Sequence, residues 1–328
     1  MVTIFRLGTF AGSCIVALAL PAALACAQEL ASKPVRIVVG FAAGGSNDLV
    51  ARALAARITT ASGVQAIVDN RPGANGIIAA EHVAKSPPDG HTVILTGVST
   101  FVLNALVYPK VPYDTLRDLA PITTVAVMPQ IIVAHPSLPS RSLKEVAELA
   151  RRSPGTLIAA HPGVGGLSHL TLQLFKDLAK VEITDVSYKG TAPALTDLVG
   201  GHVPLLVADL PAPLPLVKSG KLRALAVTSG QRSTLLPDVQ TASEQGYAGL
   251  QATNWLGVMA PAKTPPAILE RLYAAFSAAV AAPETRERYA TVGVDSSVSK
   301  SPAAFGSFVR DEFARWEKVV RQANVQLQ

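Results

Sequence analysis

Cysteine is almost missing from this 328-residue chain, and both copies, Cys14 and Cys26, fall within its first 27 residues. The remainder has no disulfide available and holds together by core burial alone, which about 300 residues allow. Aromatic residues make up only 5 %, and the 29 basic and 23 acidic residues are scattered without a run of like charge. A nucleic-acid binder needs a clustered basic face interleaved with aromatics, so that class is set aside. The net charge of +6 suits a protein handling anions, and it equally suits an ordinary solvated surface. Catalytic signatures are missing too. GGSND (44–48) is not a G-x-S-x-G elbow, and GLSH (166–169) has no second glycine. Residues 40–45 do not match G-x-G-x-x-G, and no G-K-[ST] closes a P-loop. The six histidines include no i, i+4 pair and no H-E-x-x-H, so neither a metal nor a cofactor is implied.

The amino end is a targeting segment. Arg6 precedes an unbroken apolar stretch to Leu24, and Ala25-Cys26-Ala27 supplies a small-x-small cleavage site. Residues 1–27 therefore read as a secretory signal peptide, too short and wrongly flanked to span a membrane. The alternative is a lipoprotein signal with Cys26 acylated, although Ala23 at the third position before it makes a poor lipobox. No later apolar run approaches spanning length.

What the chain does contain is one unit repeated. An apolar run of strand length ends in a Gly-rich loop, and the loop opens a helix. PVRIVVG (34–40) leads through FAAGGS (41–46) into NDLVARALAARI (47–58). VQAIVDN leads through RPGANG (71–76) into IIAAEHVAK, and HTVILTG leads through Val98, Ser99 and Thr100 into FVLNALVY. A strand-like segment ITTVAVM (122–128) is followed by Pro129 and QIIVAHP, and a helix from Ser142 to Arg152 begins on a Ser142–Glu145 capping box. The unit recurs three times between about 155 and 220, through HPGVGGLS (161–168), KGT (189–191) and DLPAPLP (209–215). Two doubly wound α/β lobes follow from this. A helical tail packed back on the first lobe would make the chain cross twice, near Met128 and Thr228, leaving a cleft between facing loops.

Each loop presents free N–H groups and a helix start at the carboxyl end of a strand, where an anion is favoured. Ser46, Asn47 and Asp48 are ligand contacts or simply helix caps, and the Asp48 carboxylate would repel an anion. Arg71 is a carboxylate clamp or a solvated surface residue. Asn75 is a donor or a cap. His161 stands at a strand end, His169 one residue into a helix. Tyr188 is an apolar wall or a core residue, and Asp209 suits an amine, a water or a cap.

A set of segments then carries a resemblance across nearly the whole mature chain: residues 34–48, DNRPGANG (69–76), SPPDGHT (86–92), YKGTAPALTDLVGG (188–201), GKLRALAVT (220–228), LPDVQTASEQG (236–246) and NWLGVMAP (254–261). Together they resemble the Bug, or TctC-like, family of extracytoplasmic solute receptors of tripartite tricarboxylate transporters. The resemblance implies a type II periplasmic binding protein: a first lobe of 28–128 plus 229–328, a second of 129–228, and a two-strand hinge. It implies a monomer that closes on a small carboxylate and delivers it to membrane permease subunits, with presentation to a sensor kinase as the alternative. The implied contacts are Phe41, Ala42, Gly45, Ser46, Asn47, Ala74, Asn75, Gly76 and Ser99 on the first lobe. On the second they are His161, Gly165, Gly166, His169, Tyr188, Lys189 and Asp209. Asn47 stands where the family commonly has Thr, and His161 where a small residue is usual. With the apolar stretch from Leu205 to Leu210, His161 leads us to expect a ligand with an apolar or aromatic body; stabilisation by citrate but not by benzoate-like acids in a thermal-shift panel would refute this. An exported enzyme would instead need a nucleophile–base pair among Ser46, Ser99, Ser168, His161 and His169.

Overall fold

The computed structural model describes residues 33–322. The expected leader, with Cys14 and Cys26, lies outside the described residues. β1 (Val35–Val39) is buried at four of its five positions, as an internal parallel strand covered on both faces requires. β2 (Ala66–Asn70) and β3 (Thr92–Gly97) flank it in parallel, with Ile37 opposite both Val68 and Val93. The crossovers carry α1 (Ser46–Ser62) and α2 (Ile77–Ala84). α1 runs past Ile58 to Ser62, where Gly63 at φ 69° closes it.

The second half repeats the plan. β5 (Ile158–His161) lies between parallel β6 (Thr184–Ser187) and β7 (Leu205–Asp209), and the connecting helices are α4 (Leu167–Ala179) and α5 (Thr191–Val199). Ahead of them α3 (Leu143–Arg152) starts on Ser142, whose hydroxyl accepts from Glu145 N–H at 3.2 Å. The Glu145 carboxylate reaches Arg141 N–H at 2.6 Å, one residue beyond the expected capping box.

β4 differs from the sequence expectation. It is one strand, Leu119–Ala134, running straight through Pro129. Up to Pro129 it pairs with β9 (Thr253–Pro261); from Gln130 it pairs with β7 and with β8 (Arg223–Val227). Proline is tolerated because the ladder partner changes there, so little is lost with the missing N–H. Its carbonyl still accepts from Leu210 N–H at 3.0 Å. The strand orders are β2-β1-β3-β9-β4 and β6-β5-β7-β4-β8, the same pattern twice, sharing β4. Alternate residues feed opposite cores: Ile37 and Val93 join Leu54 and Phe276, while Val38 and Ile94 join Phe101, Trp255 and Phe305.

The return to the first half also comes later than expected. Residues 229–252 pack with the second half: Ala242 and Leu250 join Leu143, Val146 and Leu225. Gln245 Nε2 donates to Leu225 O, and its Oε1 accepts from Leu143 N–H, both at 2.7 Å. The crossings are therefore Pro129–Gln130 on β4 and Ala252–Thr253 entering β9. Buried Thr228 knits them together, donating its hydroxyl to Ala252 O at 2.6 Å and its N–H to Gln130 O at 3.0 Å. From β9 onward, α6 (Pro266–Ala281), α7 (Pro283–Val292), β10 (Asp295–Ser296) and α8 (Pro302–Gln322) complete the first half. No helix among the described residues is long and apolar enough to cross a membrane.

Candidate functional site

Three helix starts meet where the two halves face each other. α1, α4 and α5 are capped by Gly45, Gly166 and Gly190, and none of the three has a side-chain capping bond. The first-turn N–H groups of a helix have no partner inside it, so glycine caps leave these amides for something else. Ser46, Asn47, Leu167, Ser168 and Thr191 from those first turns line one cavity. Three positive dipole ends thus address one small space.

The halves are closed on one another. Ala42 N–H donates to Lys189 O at 3.3 Å, Leu167 N–H to Ser99 Oγ at 3.0 Å, and the Tyr108 hydroxyl to Val164 O at 2.9 Å. Asn75 sits at the seam, in the left-handed region at φ 50°. Its Nδ2 donates to Asn104 Oδ1 at 2.7 Å, and its carbonyl accepts from Asn104 Nδ2 and from the Thr100 hydroxyl at 3.1 Å. At the hinge end of the cavity stand Asp209, Gln130 and Asn254.

Of the residues expected at the site, Phe41, Gly45, Ser46, Asn47, Asn75, Ser99, Gly166 and Asp209 line this cavity. The rest are elsewhere. Ala74, Tyr188 and Lys189 line a neighbouring groove, and the Tyr188 hydroxyl is spent on Asp197 at 2.6 Å. Ala42 serves the closing bond, and Gly76 backs against Thr100. Asp48 lies behind the first loop, accepting from Gly44 N–H and Arg52 Nε, both at 2.9 Å. Burial pushes its carboxyl up, but the bonds from Arg52 and Gly44 outweigh that and hold it below the usual range. Gly163, Pro162, Thr191, Gln130 and Asn254 were not expected. A signal for the last two exists: each is a polar residue inside an otherwise apolar strand run.

His161 and His169 are the main correction. Both are buried and absent from the cavity lining, stacked at 4.5 Å between ring centroids, and each Nε2 lies 3.5 Å from Asp185 Oδ2. Gly165 N–H donates to His169 Nδ1 at 3.0 Å, and Gln173 Nε2 lies 3.0 Å from His169 Nε2. His161 Nδ1 faces Gly163 O at 3.1 Å, leaving its Nε2 without a hydrogen-bonding partner. The two rings and Asp185 stand within reach of a single ion. However, the Gly165 amide claims one lone pair and Lys176 Nζ lies 3.4 Å from Asp185, so the group is a packed polar cluster. The Leu205–Leu210 stretch is likewise internal: Leu205 and Val207 enter one core, Leu206, Ala208 and Leu210 the other. With His161 also withdrawn, the grounds for an apolar or aromatic ligand body are gone. Nor is either histidine hydrogen-bonded to a cleft serine: Ser99 Oγ is taken by Leu167, and Ser46 Oγ has no partner.

Burial lowers both histidines; for His169, burial and then the charge of His161 bring it to about 4. At these two histidines the folded state therefore binds fewer protons than the unfolded chain below about pH 6.5, and their contribution to stability falls as pH drops from there towards 4. We expect His161→Phe, which keeps the stack, to flatten the dependence of Tm on pH across that window. An unchanged slope would contradict the assignment.

Comparison with known proteins fits this architecture. Residues 50–325 match the model of the tripartite tricarboxylate transporter family receptor, TctC. The chain belongs to the TctC receptor family. BugT of Bordetella pertussis is 35 % identical to this TctC receptor over 302 residues, covering 92 % of each chain. The solved Rpa4515 of R. palustris, with adipate, superposes at TM-score 0.85 with 36 % identity over 89 % of this chain and 98 % of that one. MatC of Rhodopseudomonas palustris, with bound malate, gives 0.83 and 34 % over 88 % and 99 %. The chain is thus a two-lobed periplasmic solute-binding protein, of a family of receptors that are not enzymes.

Proposed function

We propose that this receptor binds a small carboxylate between its lobes, largely through main-chain amides, and delivers it to the permease subunits of a tripartite tricarboxylate transporter. The protein is exported by its first 27 residues, works as a monomer and catalyses no reaction. The observation that carries the reading is the convergence of three glycine-capped helix starts on a cavity that, among the described residues, no lysine or arginine lines. Hydrogen bonds to a charged group contribute roughly 1.5–3 kcal/mol each, so four or five give about 6–15 kcal/mol before association costs of several kcal/mol. Micromolar affinity needs about 8 kcal/mol, so backbone donors suffice. The acids held by the two R. palustris proteins, adipate and malate, support the class.

The test removes one amide. Ser46 is the first residue of α1 and follows Gly45 at φ −80°, ψ 169°, a conformation that accepts a following proline. Proline is well tolerated at that first helical position. Ser46→Pro is therefore expected to keep the fold and lower affinity for a bound acid by about tenfold or more. Titration calorimetry with malate, adipate and any acid found by native mass spectrometry reads this. Equal affinity in the variant, with an unchanged melting curve, would overturn the amide-held carboxylate.

A further inference from the structure

The two ends of the cavity are chemically opposite. Asp209, Gln130 and Asn254 come to the hinge end from β7, β4 and β9. Gln130 Nε2 donates to Asp209 Oδ1, and Asn254 Nδ2 donates to Oδ2 at 2.9 Å. Each amide NH2 thereby commits one of its two N–H donors to the carboxylate. That leaves Gln130 Oε1 and Asn254 Oδ1 buried with no hydrogen-bonding partner. All three residues line the cavity, whose other end is made of helix-start amides. Helix-start amides therefore stand at one end, and a carboxylate with two unmet amide oxygens at the other. A buried acceptor without a donor is costly, so this end is completed by whatever brings an N–H or O–H to it.

We propose that the Asp209–Gln130–Asn254 end of the cleft is a selectivity subsite for a hydrogen-bond donor, so that the ligand is a carboxylate bearing an amino or hydroxyl group. This rests on the carboxylate reading above and narrows it. With one carboxylate at the helix starts, the donor projects towards the hinge. A second ionised carboxylate placed there would face the Asp209 carboxylate and two carbonyl oxygens. A site built to accept a hydrogen bond from its ligand rejects analogues without the donor strongly, because its own acceptors are then left bare.

The test is titration calorimetry at pH 7.5 on acids that share a carbon skeleton: succinate, malate and aspartate; glutarate, 2-hydroxyglutarate and glutamate; adipate and 2-aminoadipate; benzoate, 4-hydroxybenzoate and 4-aminobenzoate. In every set that binds, a donor-bearing member should bind at least about tenfold more tightly than the plain acid. The amino and hydroxyl arms separate the two donor types. In Asp209→Asn, turning the Asn254 amide so that its oxygen accepts from the new side chain puts an NH2 into the cavity, and the preference should shrink to roughly threefold or less. Plain acids binding as tightly as their donor-bearing partners in the wild type would overturn the subsite and leave the carboxylate reading standing. No binding by any set would overturn both. Because the wild-type panel decides the matter, failure of the variant to fold does not protect the proposal.

Discussion

Gly163→Val is expected to abolish most ligand binding while leaving the unliganded protein folded. A Cβ on Gly163 would lie 2.5 Å from Asn75 Oδ1, and one on Gly166 would lie 2.7 Å from the same atom. Asn75 cannot retreat, because Asn104 and Thr100 hold both its side chain and its carbonyl. Gly163 is not among the residues with positive φ, so valine strains nothing until the lobes meet. Overpacking of this kind costs about 1–3 kcal/mol, and here the whole cost falls on the closed state. Affinity should therefore drop by roughly 10–100-fold, with the melting temperature of the ligand-free protein nearly unchanged. Calorimetry gives the first quantity. Small-angle scattering gives the second signature: ligand-saturated wild type contracts, the variant stays extended. Wild-type affinity in Gly163→Val would mean that the closed arrangement seen here is not the one that holds ligand.

The loops that meet in the cleft were legible because glycine, helix start and strand end are all local features. Residues 41–46, 71–76, 161–168 and 189–191 could be placed as loops from spacing alone, since glycines, strand ends and helix starts mark the course of the backbone whatever the direction of the side chains. Where direction does matter, the sequence misled. His161 ends β5, and the cleft lies at the carboxyl ends of the strands, yet its buried ring stacks on His169 and does not line the cavity. Successive side chains point to opposite faces of a strand, and nothing local says which face the last one takes. The same alternation hid the meaning of Leu205–Leu210, whose apolar side chains divide between two cores. Pro129 directly follows the run read as 122–128, and a proline inside a ladder normally costs a hydrogen bond. Only the change of partner from β9 to β7 and β8 makes it harmless. Residues 229–252 have no strand or helix period at all. Their place beside α3 depends on single contacts such as Gln245 with Leu143, which tertiary structure alone creates.

Asp209→Asn should raise the stability of the ligand-free receptor at neutral pH. Burial pushes the Asp209 carboxyl from the ordinary 3.8 to about 6, only partly offset by hydrogen bonds from Asn254 and Gln130. Since the folded state binds this proton more tightly than the unfolded chain, the contribution is fully present below about pH 4 and is lost as pH rises through 6. Above that, ionising Asp209 in the folded protein costs roughly 3 kcal/mol relative to the unfolded chain. Asparagine removes the ionisation, and its amide can satisfy one neighbour while accepting from the other. Acidic groups held low, such as Asp48, act in the opposite direction, so the informative quantity is the difference between variant and wild type at each pH. That difference should be small near pH 4, grow between 4 and 6, and level off at roughly 5 °C in Tm above pH 7. A difference independent of pH would show that Asp209 is not an ionised group buried at the hinge. If the gain in stability comes together with the loss of preference for donor-bearing acids, the carboxylate is retained at the hinge for recognition, and the fold bears its cost in the absence of ligand.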